Sequence, residues 1–172
     1  CSVTEGNSGS TNCNFVVRLS AASGRAVTFH SATVDGTAGA LSDYTGHAST
    51  ARTIAAGQTT LSIAVPVRGD IYDEDNETFA LAISNVANAT PGSLSATGTI
   101  NDDDPTPTLS VDNGGCSVAE GNSGTVPCVF TLRLSSPSAR AVSMSARTVA
   151  GSAELNDFVS FGPVSVAMTE RM

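Results

Sequence analysis

The chain has 172 residues, room for one ordinary domain or one and a half small ones, which excludes a large multidomain enzyme. Apolar residues make up 40% and charged residues 14%, a globular composition in which Ser, Thr, Ala and Gly take the place of charge. Sixteen acids stand against eight bases, all eight being Arg, and the net charge of −8 excludes nucleic-acid binding, which needs a basic face that releases phosphate counterions.

Along the chain, segments that alternate apolar with small polar residues predict strands at 14–19, 26–33, 60–67 and 78–83. Turns rich in Gly, Asn, Asp and Pro separate them, at Gly6-Asn7-Ser8-Gly9, Asp35-Gly36 and Ala56-Gly57. No stretch joins a helical period to a cap. About seven short strands in some 105 residues predict an all-β fold, an antiparallel β-sandwich.

The sandwich is expected twice. Cys1-Ser2-Val3-Thr4-Glu5-Gly6-Asn7-Ser8-Gly9 returns as Cys116-Ser117-Val118-Ala119-Glu120-Gly121-Asn122-Ser123-Gly124, a repeat of 116 − 1 = 115 residues. Phe15, Arg18-Leu19-Ser20 and Arg25-Ala26-Val27 return as Phe130, Arg133-Leu134-Ser135 and Arg140-Ala141-Val142, and Leu41-Ser42-Asp43-Tyr44 returns as Leu155-Asn156-Asp157-Phe158. Pro105-Thr106-Pro107 stiffens the chain between copies, so the expected domains are 1–105 and an incomplete second repeat, 106–172.

Each copy carries two cysteines with one separation, Cys1 with Cys13 and Cys116 with Cys128. That suits a local disulfide in each repeat and an oxidising, extracytoplasmic location; the alternative is four reduced, buried thiols. Zinc fits less well, since neither pair has C-x2-C spacing and no His lies beside it. No apolar run reaches the roughly 18 to 20 residues that span a bilayer, and the sequence opens on Cys1 instead of an initiator Met with no signal peptide visible in it, so it reads as a piece of a longer, processed protein.

Half of the acids fall in two short segments: Asp70, Asp73, Glu74, Asp75 and Glu77 in one, Asp102, Asp103 and Asp104 in the other. Carboxylates this dense repel one another by on the order of 1 to 4 kcal/mol per pair. Arg68 is the only base close in sequence, whereas a hard divalent cation such as Ca2+ takes about 6 to 8 oxygens in flexible mixtures. Taken singly, each acid run is also what a solvated surface loop looks like.

Glu5 in Val-Thr-Glu-Gly, Gly36-Thr37-Ala38 followed by Ser42-Asp43-Tyr44, the run from Asp70 through Glu77-Thr78-Phe79, and Thr99-Ile100-Asn101-Asp102-Asp103-Asp104 together resemble the Calx-beta domain. The resemblance spans residues 1–104 and implies an immunoglobulin-like sandwich binding calcium in the loops of one end. Carried over by position, it assigns metal-ligand roles to Glu5, Asp43, Asp70, Glu74, Asp102, Asp103 and Asp104, with Glu77 a further candidate and Phe79 in the core. Where many family members have consecutive aspartates, this chain has Gly69-Asp70, so one carboxylate is missing and one to three ions are expected. The second copy keeps Glu120 and Asp157 but reaches neither an acidic loop nor an exit triad.

Calcium at the exit would order the loops and stiffen the linker between neighbouring repeats, which fits an adhesive or structural module of a secreted or cell-surface protein. The family also includes intracellular calcium sensors that regulate sodium/calcium exchangers, the alternative reading. No G-x-S-x-G motif appears, and neither His30 nor His47 has the context of a catalytic base, so no enzyme is expected. The sequons at Asn76 and Asn88 are read as chance. In the half repeat, Phe130, Leu132, Leu134, Val142 and Val149 need a partner surface, so the segment is expected to be either poorly ordered or completed in a strand-exchanged homodimer.

Overall fold

The structure is a computed structural model that describes residues 1–112 and 114–168; residues 113 and 169–172 of the expected second repeat lie outside the described residues. The described chain falls into two compact units, Cys1–Ile71 with Asp75–Asp104, and Tyr72–Glu74 with Pro105–Met172.

The first unit is built from seven strands: β1 (Ser2–Thr4), β2 (Ser10–Arg18), β3 (Val27–Asp35), β4 (Thr50–Ile54), β5 (Thr60–Arg68), β6 (Glu77–Ala87) and β7 (Ser95–Asn101). They form a five-stranded sheet in the order β1-β7-β6-β3-β4 and a two-stranded sheet of β2 with β5. Alternation sends one face of each strand inward: Cys13 and Phe15 from β2, Ile63, Val65 and Val67 from β5, Val27 and Phe29 from β3, Phe79 and Leu81 from β6. These side chains form one buried cluster, and each Val, Ile, Leu or Phe among them stabilises the fold by about 1.5 to 3 kcal/mol through burial.

At the centre Phe79 meets Phe15 edge-on at 5.8 Å and stacks on Tyr44 at 4.3 Å. Gly98 is the register partner of Phe79 on β7 and leaves the space that the ring fills.

The immunoglobulin-like sandwich is as expected except at one edge. Every pairing in this unit is antiparallel but that of β1 with β7, which is parallel. Nearly the whole domain separates these strands in sequence, so no hairpin imposes opposite directions on them.

This topology gathers loops at one end. Thr4 pairs with Asn101, Glu77 with Ile100 and Asp35 with Phe79, so the exit of β1, the exit of β7, the entry to β6 and the exit of β3 share a pole. In the smaller sheet Ser10 pairs with Arg68.

The second unit contains β8 (Leu109–Val111) paired with β9 (Leu132–Leu134), and β10 (Val142–Ala146) paired with β11 (Val164–Met168), both antiparallel. Of the residues expected to need a partner surface, Val149 and Phe130 are exposed, at 72% and 55%, while Leu132, Leu134 and Val142 are half-buried. Disulfides join Cys1 to Cys13 and Cys116 to Cys128, each with a Cα–Cα distance of 5.6 Å.

Candidate functional site: an acidic pole of the first sandwich

Glu5 directly follows β1, and Asp102, Asp103 and Asp104 directly follow β7. Because those strands run in parallel register, their exits lie side by side, and the Glu5 amide continues the ladder by donating to Asn101 O at 3.2 Å. One carboxylate oxygen from each of Glu5, Asp102 and Asp104 lies within 4.8 Å of the others. Glu5 and Asp104 are buried and Asp102 is half-buried.

Asp103 is placed differently. Its Oδ1 accepts the Gly6 N–H at 3.0 Å, so its carboxylate braces the turn after Glu5. Asparagines complete the frame: Asn7 Nδ2 donates to Asp104 Oδ1 at 2.7 Å, and Asn76 Oδ1 accepts the Asp102 N–H at 2.9 Å. Sequence reasoning passed over both, one as a turn residue and the other as a sequon. The available signal was an uncharged amide, donor and acceptor at once, next to acids. Asn88 is engaged too, through Nδ2 to Ala26 O at 2.8 Å.

A second pair forms nearby, where Asp43 and Glu77 bring carboxylate oxygens within 4.8 Å. Glu77 opens β6, and Asp43 is held by its own loop and by the end of β5: Gly39 N–H donates to Asp43 Oδ2 at 2.6 Å and Arg68 N–H to Asp43 O at 2.8 Å. Asp70 lies half-buried after β5, outside both groups of oxygens.

The donors are all carboxylates. Oxygens bound to one Ca2+ at about 2.3 to 2.6 Å from the ion stand at most about 5 Å apart, so the Glu5, Asp102 and Asp104 group fits a single coordination sphere of that hard ion. Neither His nor Cys belongs to the group, which sets it apart from a zinc or copper centre.

The family model for the Calx-beta domain matches residues 2–104, the whole of this sandwich and both of its acidic exits. The chain belongs to the Calx-beta family. Two solved structures are similar to it in fold. Calcium binding domain CBD12 of CALX1.1 is 23% identical with a TM-score of 0.53, covering 60% of this chain and 41% of that one. CBD12 from CALX1.2 is 19% identical with a TM-score of 0.55, covering 98% of this chain and 66% of that one. The chain therefore spans less than two thirds of the length of either. No curated protein matches it.

Other polar groups of this Calx-beta domain serve the scaffold. Tyr44 donates its hydroxyl to Asp35, and burial together with that bond pushes the phenol up to about 12. His47 meets Ser31 Oγ through Nε2 at 3.2 Å, and burial, with the Arg52 charge, holds its pKa below the usual value. His30 Nδ1 lies 2.9 Å from Ser49 Oγ.

In the second unit, Asp73 departs from the expectation of a loop acid compensated only by metal. It is 2% exposed, accepts from Thr106 Oγ1 at 3.0 Å and Ser138 Oγ at 2.9 Å, and pairs with Arg140 at 3.3 Å. Arg140 also donates to the carbonyl of Glu74. The compensating cation was remote in sequence, which is why Arg68 looked like the only one; Arg68 itself donates to Leu41 O at 2.8 Å. Glu120 and Asp157 are exposed, and Asp157 Oδ2 accepts the Glu154 N–H at 2.7 Å.

Proposed function

We propose that this chain is a calcium-binding, tandem-repeat module of a secreted or cell-surface protein, with an adhesive or structural role and no catalytic one. The observation that carries this reading is the close approach of Glu5, Asp102 and Asp104 at the exits of two parallel strands. A hard dication between them turns mutual repulsion into shared attraction. Membership of the Calx-beta family, and the naming of CBD12 of CALX1.1 as a calcium binding domain, support calcium as that ion.

Asp43 and Glu77 offer a second position, Asp70 and Glu74 are the further ligands of the acidic loop, and one to three ions are bound. The ion orders the pole and restrains the chain that leaves Asp104 for Pro105 and Pro107. Two disulfides support an oxidising, extracellular location. Calcium that binds only the folded form also stabilises it, by about 2.7 kcal/mol at a hundredfold excess over Kd.

Calcium titration by calorimetry, with melting curves, tests the reading. Binding at about 0.1 to 1 mM, as in extracellular modules, supports it; neither heat nor a melting shift at millimolar calcium would sink it.

The likeness to the two CBD12 structures favours one other reading, an intracellular calcium sensor that regulates a transporter such as a sodium/calcium exchanger. Submicromolar affinity with free thiols in the natural protein would select it. For the second unit, strand exchange between two copies through residues 106–172 would cover the exposed Phe130 and Val149. A monomeric mass by light scattering excludes that dimer.

A further inference from the structure

Counting ligands makes Gly69 a defect, a position where a carboxylate is lost. Its surroundings give it another role. A Cβ built on Gly69 would lie 1.9 Å from Gly6 O, 2.5 Å from Glu5 O and 2.8 Å from Gly6 C. All three are backbone atoms, so no side chain can swing aside to make room. Gly69 has no positive φ, unlike Gly6 at +74°, so space and not backbone conformation requires glycine here.

The peptide that lies against Gly69 carries the site. Glu5 supplies one of the three clustered oxygens, and Gly6 donates its N–H to Asp103. Gly69 in turn donates its own N–H to Gly9 O at 3.3 Å, which ties the end of β5 to the same turn from its other side. The Glu5 turn is thus held between the β7 exit and Gly69.

We propose that Gly69 is a positioning residue for the cation site: the bare backbone at this point lets the Glu5–Gly6 peptide seat deeply enough to bring the Glu5 carboxylate to Asp102 and Asp104. The inference rests on the calcium reading and reverses the expectation from ligand counting. Gly69→Asp adds a carboxylate at the pole, yet weakens calcium binding, because its Cβ drives the Glu5 turn away.

The test compares Gly69→Ala and Gly69→Asp with the parent chain by calcium calorimetry. Each protein's melting temperature is also measured with and without calcium, so that lost binding is separated from lost fold stability. Both variants are expected to bind calcium at least tenfold more weakly and to show a smaller calcium-induced melting shift. Tighter or equal binding by Gly69→Asp, or a Kd for Gly69→Ala within twofold of the parent, overturns the proposal.

A calcium-free measurement keeps this outcome distinct from failure of the calcium reading itself. Amide chemical shifts of Glu5, Gly6 and Asp103 should move in Gly69→Ala while those of β3 and β4 stay in place. Unmoved shifts at Glu5 and Gly6 overturn the positioning role even if the parent chain binds no calcium.

Discussion

Asn7 donates its side-chain amide to Asp104 across 97 positions of sequence, at 2.7 Å. This bond fixes which oxygen of Asp104 is taken up by the protein and orients the carboxylate beside Glu5. A hydrogen bond to a charged acceptor contributes about 1.5 to 3 kcal/mol, and part of that is spent on orientation. Asn7→Ala should therefore weaken calcium binding by roughly tenfold, the equivalent of about 1.4 kcal/mol. Calorimetry of the variant checks this, and an unchanged Kd would mean that Asp104 orients itself.

The neighbouring acids of the β7 exit should separate by role. Asp104→Asn removes charge from the oxygen cluster, whereas Asp103 Oδ1 serves the Gly6 N–H, a bond that an asparagine oxygen can still accept. Asp104→Asn is expected to weaken calcium binding by more than tenfold and Asp103→Asn by less than about threefold, the smaller loss reflecting a longer-range charge effect. Equal losses from the two variants would place Asp103 among the direct ligands.

Gly98 tests the core that supports the pole. A Cβ there would stand 2.6 Å from Phe79 Cζ and 3.1 Å from Phe15 Cζ. Both rings are buried, and Phe79 is also stacked on Tyr44, so neither can retreat without disturbing the other. Overpacking of this kind costs about 1 to 3 kcal/mol. Gly98→Ala should lower the urea midpoint with an unchanged m-value, and a variant as stable as the parent would show that the aromatic cluster has slack.

The Cys1–Cys13 disulfide joins the start of β1, at the edge of the larger sheet, to β2 in the smaller one. It closes the sandwich along the edge where only three residues of β1 pair with β7. Its short loop should contribute about 2 to 3 kcal/mol. In a domain of this size that amounts to roughly 10 to 20 °C of melting temperature, at about 4 to 8 °C per kcal/mol. The pair Cys1→Ser with Cys13→Ala should show that loss by calorimetric melting; a drop under about 3 °C would mean that the ladder holds the edge alone.

Much of this was legible because it is written in short-range patterns. Alternation marked β2, β3, β5 and β6, with inward positions such as Phe15, Ile63 and Phe79 falling on the buried faces, since a period of two is a local property of the chain. What escaped notice depends on pairing at long range. Nothing near Ser2 or Thr99 announces that β1 and β7 run parallel, and it is this pairing that sets Glu5 beside Asp102 and Asp104. Asp73 looked like any other acid of its loop because its partners Ser138 and Arg140 belong to the next copy of the sequence repeat. Gly69 looked like a missing ligand because a sequence does not display the carbonyl oxygens that would collide with a side chain there.

His47 gives the fold a pH dependence whose sign follows from its surroundings. Burial, reinforced by the Arg52 charge, places its folded-state pKa below the usual 6.5, so the unfolded chain binds that proton more readily than the folded one. As pH falls through about 6.5, the unfolded state gains a proton that the folded state refuses, and stability declines until the folded-state pKa is passed. Above about 6.5 both states hold a neutral ring and the contribution is flat. His47→Gln should therefore reduce the fall in stability between pH 7 and pH 5.5, although loss of the contact with Ser31 Oγ lowers the whole curve. Urea unfolding of parent and variant across that range reads the slope directly. Parallel curves would mean that the fall in stability does not come from this imidazole.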